Sequence, residues 1–221
     1  MLKRPLLLFL LSVISFAIFA QELVLTTSSS AASAARTAGA SNWIEGVSIK
    51  NVGIINTQHL EFSPTYYENG IVYVTSQKET GKVDKVINEP FFELFYAELN
   101  PGGVPIHPEP FSAKINTQLH EGPVAFGKKN KEIFFTRNNI KNGDVDTGSK
   151  GVVRMKIFTG TKGAEDWENI HEVSFNSDEY SCIHPTLSPD EMKLYFSSNM
   201  PGGYGGYDLY VAQRIANNKW G

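Results

Sequence analysis

A single cysteine, Cys182, in 221 residues excludes an intrachain disulfide. Packing must therefore hold the fold, and Cys182 reads as a small buried apolar residue before it reads as a reactive thiol. Basic charge is also scarce: 20 Lys and Arg against 23 Asp and Glu leave a net charge of −3. Nothing here clusters into the basic surface that nucleic acid requires. No apolar run reaches the roughly 20 residues of a membrane span; the longest, Leu6–Ala20, has 15. Helix-period runs of ordinary length are missing. Chemical signatures are missing too. There is no GxSxG elbow, no HExxH and no Cys/His zinc spacing. The expectation is a protein without catalytic residues and without a cofactor.

Lys3 and Arg4 precede the apolar run, and Ala20-Gln21 follows it. Residues 1–20 therefore read as a secretory signal, although Ile18 stands where a small residue is preferred. A retained anchor is the alternative. No Cys follows the run, so a lipoprotein anchor is not expected. Residues 21–42, which include TTSSSAASAARTAGAS, are too small and polar to offset the entropy of ordering and read as a flexible linker. Export to the periplasm or to an outer-membrane-associated position is the expected address, with no transmembrane span once the signal is cleaved.

From Trp43 the composition changes to short aromatic and β-branched runs separated by Gly, Pro, Asn and Asp, an all-β pattern. The runs repeat. INTQ occurs at Ile55 and Ile115, 60 residues apart, and a looser FNSD begins at Phe175, another 60 on. A proline follows each: Pro64, Pro123, Pro185. Then come VYVTS, IFFTR and LYFSS, with Tyr73, Phe134 and Tyr195 spaced 61 and 61. Third runs begin at Leu94, Met155 and Leu209. Turn formers separate the first two runs: Glu68-Asn69-Gly70, Lys128-Lys129-Asn130 and Ser188-Pro189-Asp190. The second runs are apolar enough to be covered on both faces. A period near 60 with four strands per unit predicts about three four-stranded antiparallel propeller blades, at residues 59–117, 118–177 and 178–221. Residues 43–58 are expected to act as a closing outer strand.

HPTLSPDEMKLYFSS and GGYDLYVA in the third unit resemble the TolB-type, WD-like propeller repeat of bacterial envelope proteins. The INT-then-Pro connector and the PGGYGGYD hairpin are similar to propellers of Bacteroidota envelope proteins, including those of the OmpA family. There the propeller often precedes a peptidoglycan-binding domain, and some belong to type IX secretion machinery. Glu191 departs from the pattern, standing where the repeat usually has Gly. The resemblance implies an exported interaction scaffold. Expected partners are envelope proteins or a C-terminal domain continuing the chain. Since propellers typically have four to eight blades, three imply either such a continuation or self-association. The rival functions are the propeller portion of an exported hydrolase and a carbohydrate-binding envelope protein.

Few residues stand out as sites. Asn142, Asp144 and Asp146 alternate oxygen ligands as a calcium loop begins, but Thr147 and Val153 occupy the Gly and bidentate Glu positions. A solvated hairpin loop is the competing and favoured reading. Tyr204 and Tyr207 in GGYGGYD are candidate contact residues, or else pack over their own hairpin. His120-Glu121 and His171-Glu172 read as polar residues of loops or inter-unit joints, and His184 as a packing or backbone-bonding residue.

Overall fold

The computed structural model describes residues 48–78, 83–141, 144–149, 151–216 and 219–221. The expected signal sequence, the expected linker and residues 43–47 of the expected outer strand lie outside the described residues. Residues 48–60 run as turns and extended chain and carry no strand.

The chain is all-β. In order come β1 (Glu61–Tyr67), β2 (Gly70–Thr75), β3 (Val83–Asp84), β4 (Glu89–Pro90), β5 (Glu93–Leu99) and β6 (Pro105–Pro110). Next are β7 (Glu121–Phe126), β8 (Glu132–Asn138), β9 (Ile140–Lys141), β10 (Asp144–Val145), β11 (Met155–Lys162) and β12 (Trp167–Glu172). The last four are β13 (Cys182–Leu187), β14 (Lys193–Ser198), β15 (Asp208–Ala216) and β16 (Lys219–Trp220). They form three four-stranded antiparallel sheets, β1-β2-β5-β6, β7-β8-β11-β12 and β13-β14-β15-β16. The pairs β3-β4 and β9-β10 are small hairpins within the loops that follow the second strands. The one helical turn among the described residues is a 3-10 turn, Lys128–Asn130.

Each proline after a connector has a structural cause. Pro64, Pro123 and Pro185 all lie at bulges in the first strand, between Phe62 and Thr65, Glu121 and Val124, and Ile183 and Thr186. A bulge tolerates the missing N–H that an interior strand position would not. The residue before each proline adopts positive φ: Ser63 at 52°, Gly122 at 93°, His184 at 57°.

The hairpin turns depart from their expected chemistry. Glu68, not Gly70, carries the positive φ in the first hairpin, at 50°. Gly70 starts β2, and a Cβ there would lie 2.4 Å from the Ala97 carbonyl and 2.5 Å from the Tyr96 ring. Close approach, not turn geometry, requires glycine at this position.

Spacing by sequence also slips against the observed register. Phe134 packs toward the third sheet with Leu194 and Phe196, and Val72 and Val74 pack toward the second with Ile133 and Phe135. Backbone caps give the same alignment: Leu60 N–H bonds the Ser76 hydroxyl, His120 N–H the Asn138 side chain, and Ser181 N–H that of Asn199. The counterpart of Tyr73 is therefore Phe135. A slip of one residue turns a strand side chain to the opposite face.

Two cores result. Val72, Val74, Leu94, Ile115, Ile133 and Phe135 are fully buried between the first and second sheets, walled by Tyr67 and Trp167. Phe134, Ile157, Val173, Leu194, Phe196 and Trp220 fill the joint between the second and third. The expectation that every second run is covered on both faces holds for β8. It fails for β14, where Leu194 and Phe196 are buried but Tyr195 is 43% exposed.

Candidate interaction surface

Adjacent sheets are joined by a repeated polar device. Asn116 of the second connector accepts from Leu94 N–H at 2.9 Å and donates to Leu94 C=O at 2.9 Å. Asn176 of the third does the same to Ile157, at 3.1 and 2.7 Å. The Asn in INTQ is thus a clamp on the third strand of the preceding sheet. The following Thr or Ser folds the connector onto itself: the Thr117 hydroxyl accepts from Leu119 N–H and the Ser177 hydroxyl from Glu179 N–H. Without the Asn the strand N–H would be left unpaired in the joint, while each carbonyl would keep only its backbone donor, Phe111 N–H for Leu94 and Val173 N–H for Ile157.

The first joint also contains a buried ionic cluster. Lys78 Nζ lies 3.2 Å from Glu121 Oε2 and donates to the carbonyls of Leu119 and Phe92. Thr117 donates to the other Glu121 oxygen. Burial pushes the Glu121 carboxyl above its usual range, and Lys78 and Thr117 oppose that shift. His120 Nδ1 accepts from Phe92 N–H, so Nε2 carries the proton and donates to Asp84 at 2.7 Å. Desolvation lowers the His120 pKa against the pull of Asp84. His120 and Glu121 are joint residues, as their sequence setting suggested. His171 lies exposed on β12, while Glu172 pairs with Lys156, which also holds Asp178 at 2.6 Å. His184 is exposed, and its N–H bonds the Thr136 hydroxyl across the second joint.

The cluster cannot serve as a nucleophile–base pair. Its carboxylate is buried against an ammonium, and its histidine is saturated by a backbone donor and a carboxylate. Cys182 is buried, its thiol pushed up to about 11 by desolvation. That suits packing rather than chemistry.

Of the oxygen-ligand trio, Asn142 lies outside the described residues and Asp144 falls in β10. The Asp146 carboxylate accepts from Gly148 N–H, closing a local turn. Tyr204 is wholly exposed and Tyr207 half-exposed on the loop between β14 and β15. Gly205 N–H binds the Asp208 carboxylate at 3.0 Å, which folds that loop back onto the start of β15.

Two surface features escaped the sequence reading. A cleft of about 240 Å³ opens between the first and second sheets, lined by Tyr67, Tyr96, Phe111 and Trp167 with Lys162 and Glu68 at its mouth. Lys162 pairs with Glu68 and sits 5.2 Å from the centre of the Tyr67 ring, so the cleft already holds its own cation. The second feature is the outer face of the third sheet. Along β15 the residues alternate: Tyr210, Ala212 and Arg214 turn inward, while Leu209, Val211 and Ile215 are exposed. With Tyr195 they form an apolar face on a strand pair whose equivalents in the other two sheets are covered. The alternation LYVAQRI is the signal in the sequence that marks this face. Among the described residues no helix is long and apolar enough to cross a membrane. No protein-family model matches the chain, and no curated protein matches it.

Proposed function

We propose that the three sheets are blades of a β-propeller and that the chain is a non-enzymatic, exported interaction scaffold of the cell envelope. The observation that carries this reading is the repeated joint. In both, an Asn connector clamps the third strand of the sheet before it, and the closest approaches between sheets are made by the first strand of the later sheet. Sheets gathered at their first strands and spread toward their fourth have the radial arrangement of blades. Such a frame fixes loops rigidly and performs no chemical step, so its work is binding. The resemblance to TolB-type and OmpA-family propellers adds the envelope as compartment.

A photo-crosslinking residue placed at Tyr204 or Tyr207 in the native envelope tests the reading. Discrete protein adducts are expected. Their absence, with hydrolysis of an envelope substrate by the purified protein, would sink it. Carbohydrate binding is a second reading, favoured by the exposure of those same tyrosines. It predicts glycan-array binding that Tyr204→Ala and Tyr207→Ala abolish.

A further inference from the structure

We infer that the cleft between the first and second sheets is a binding site for an organic ammonium group, and that Lys162 occupies it from within until such a ligand displaces it. The site needs only the contact of these two sheets, so it stands whether or not they are propeller blades. Tyr67, Tyr96, Phe111 and Trp167 form an aromatic floor. The rim is acidic: Glu68, Glu109 and Glu165 line it and are exposed, and among the described residues Lys162 is the one basic residue of the lining. A fourth acid, Asp166, is taken up by structure. Its carboxylate accepts from the Ser112 hydroxyl at 2.6 Å and from the N–H groups of Lys114 and Trp167. Those bonds fasten the β11–β12 turn to the loop after β6 and fix one wall. The opposite wall is Tyr96. A Cβ at position 70 would lie 2.5 Å from its ring, so Gly70 is what lets that ring line the cleft. The Tyr96 hydroxyl donates to Asn69 at 2.7 Å, which holds the ring there.

Lys162 shows how the cleft holds a cation. Its ammonium pairs with Glu68 and lies 5.2 Å from the centre of the Tyr67 ring, so a carboxylate and a ring face both favour positive charge at that point. Glu68 first, then the Tyr67 hydroxyl, raise the Lys162 pKa above its ordinary value. The same field reaches the opposite wall: after burial, the charges of Glu98, Glu68 and Glu109 raise the Tyr96 phenol. One ammonium does not balance the rim. Among the described residues neither Glu109 nor Glu165 belongs to an ion pair. Lys162 is also held loosely. Its side chain is 37% exposed and that of Glu68 46%, and so exposed a pair contributes little. An incoming ammonium can take its place beside Glu68 and Tyr67 while the lysine swings into solvent. At about 240 Å³ the cleft falls below the roughly 300–1,000 Å³ of drug-sized sites. It fits a trimethylammonium head or the end of a lysine side chain and is too small for an oligosaccharide. A bare metal ion does not suit it, since aromatic faces supply no oxygen ligands and no group of three His, Cys, Asp or Glu among the described residues is placed to hold one.

NMR titration of the full chain with choline tests this, with the uncharged isostere 3,3-dimethylbutan-1-ol as control. Saturable choline binding by the wild-type chain is expected, with the alcohol weaker by about tenfold or more. Lys162→Ala and Lys162→Gln remove the internal competitor, so each should tighten choline binding by about tenfold. Adding Glu68→Gln and Glu109→Gln to Lys162→Ala should reverse that gain. Nα-acetyl-lysine amide separates the sources of the ligand. Tighter binding than choline supports an ammonium site for a partner's side chain, and weaker binding supports one for a free quaternary amine. All the substituted side chains lie on the exposed rim, and unchanged thermal unfolding of the variants confirms their folding. A wild-type chain that binds neither cation overturns the inference. So does equal affinity for choline and the alcohol, or an affinity indifferent to the substitutions at Lys162, Glu68 and Glu109. Envelope adducts through Tyr204 bear on the scaffold reading alone, and choline binding bears on this site alone.

Discussion

At the scale of single residues, two positions carry more strain than their neighbours. Tyr73 is buried, yet its hydroxyl finds no hydrogen-bond partner among the described residues. Such a group costs about 1–3 kcal/mol, so Tyr73→Phe should raise stability by about 1 kcal/mol in chemical denaturation. Burial, with a contribution from Glu61, pushes the Tyr73 pKa up to about 12 from its model-peptide value of 10.0. A raised folded pKa means the unfolded chain releases the proton first. The phenol's share of stability is therefore complete below pH 10 and lost as pH rises toward 12. Tyr73→Phe should reduce the alkaline slope of stability in that window; an unchanged slope would show that other groups govern it. The second position is Glu191, held at φ 60° where the resembling repeat has Gly. Glu191→Gly removes a left-handed Cβ clash of roughly 1–2 kcal/mol against about 0.4–1 kcal/mol of added unfolded-state entropy, so it should raise the unfolding free energy slightly. Glu191→Ala, which keeps the Cβ, should not.

At the scale of elements, the connector is the unit that makes the repeat cohere. Asn116→Ala would leave the N–H and C=O of Leu94 without their side-chain partner in a buried joint. A loss of about 2 kcal/mol is expected, with Asn176→Ala costing a similar amount in the next joint. Asn116→Asp can still accept from Leu94 N–H but cannot donate to its carbonyl, so it should fall between. Urea denaturation of the three variants decides, and equal effects of Ala and Asp would refute a two-pronged clamp. Strand order, strand type and turn location were legible before the structure because Gly, Pro and Asn punctuate apolar runs at a near-constant spacing. The role of the Asn was not legible. Its partner is backbone 22 residues earlier in one joint and 19 in the other, and backbone leaves no mark in side-chain spelling. The alignment of Tyr73 with Phe134 slipped for a related reason. Loops absorb one extra residue between the first two sheets, and period-2 alternation converts that one residue into the opposite side. The exposure of Tyr195 on β14 was hidden by assuming that a run like IFFTR and a run like LYFSS share one environment.

At the scale of the whole molecule, what matters is how firmly one sheet holds the next. The first joint places a buried ammonium against a buried carboxylate, Lys78 and Glu121, with Lys78 also bonded to two backbone carbonyls. Desolvation makes such a pair a poor source of net stability, but removing one member strands the other charge. Lys78→Met alone should therefore cost about 3 kcal/mol or more. Lys78→Met combined with Glu121→Leu should cost less than either change alone, because no unpaired charge remains between the sheets. The measurement is a double-mutant cycle in urea, where residues in contact show coupling of about 0.5–3 kcal/mol. The bidentate pair of Arg214 on β15 with Glu132 on β8 tests the second joint separately. It is partly exposed, so Arg214→Met should cost less than Lys78→Met and should not couple to Glu121→Leu. Additive costs for Lys78 and Glu121 would mean that the apolar core alone carries the first joint and that the ionic cluster is incidental to it. Strong coupling would mean that the first and second sheets separate only when the pair is broken. The joint would then be the point at which stacking of these units is made specific.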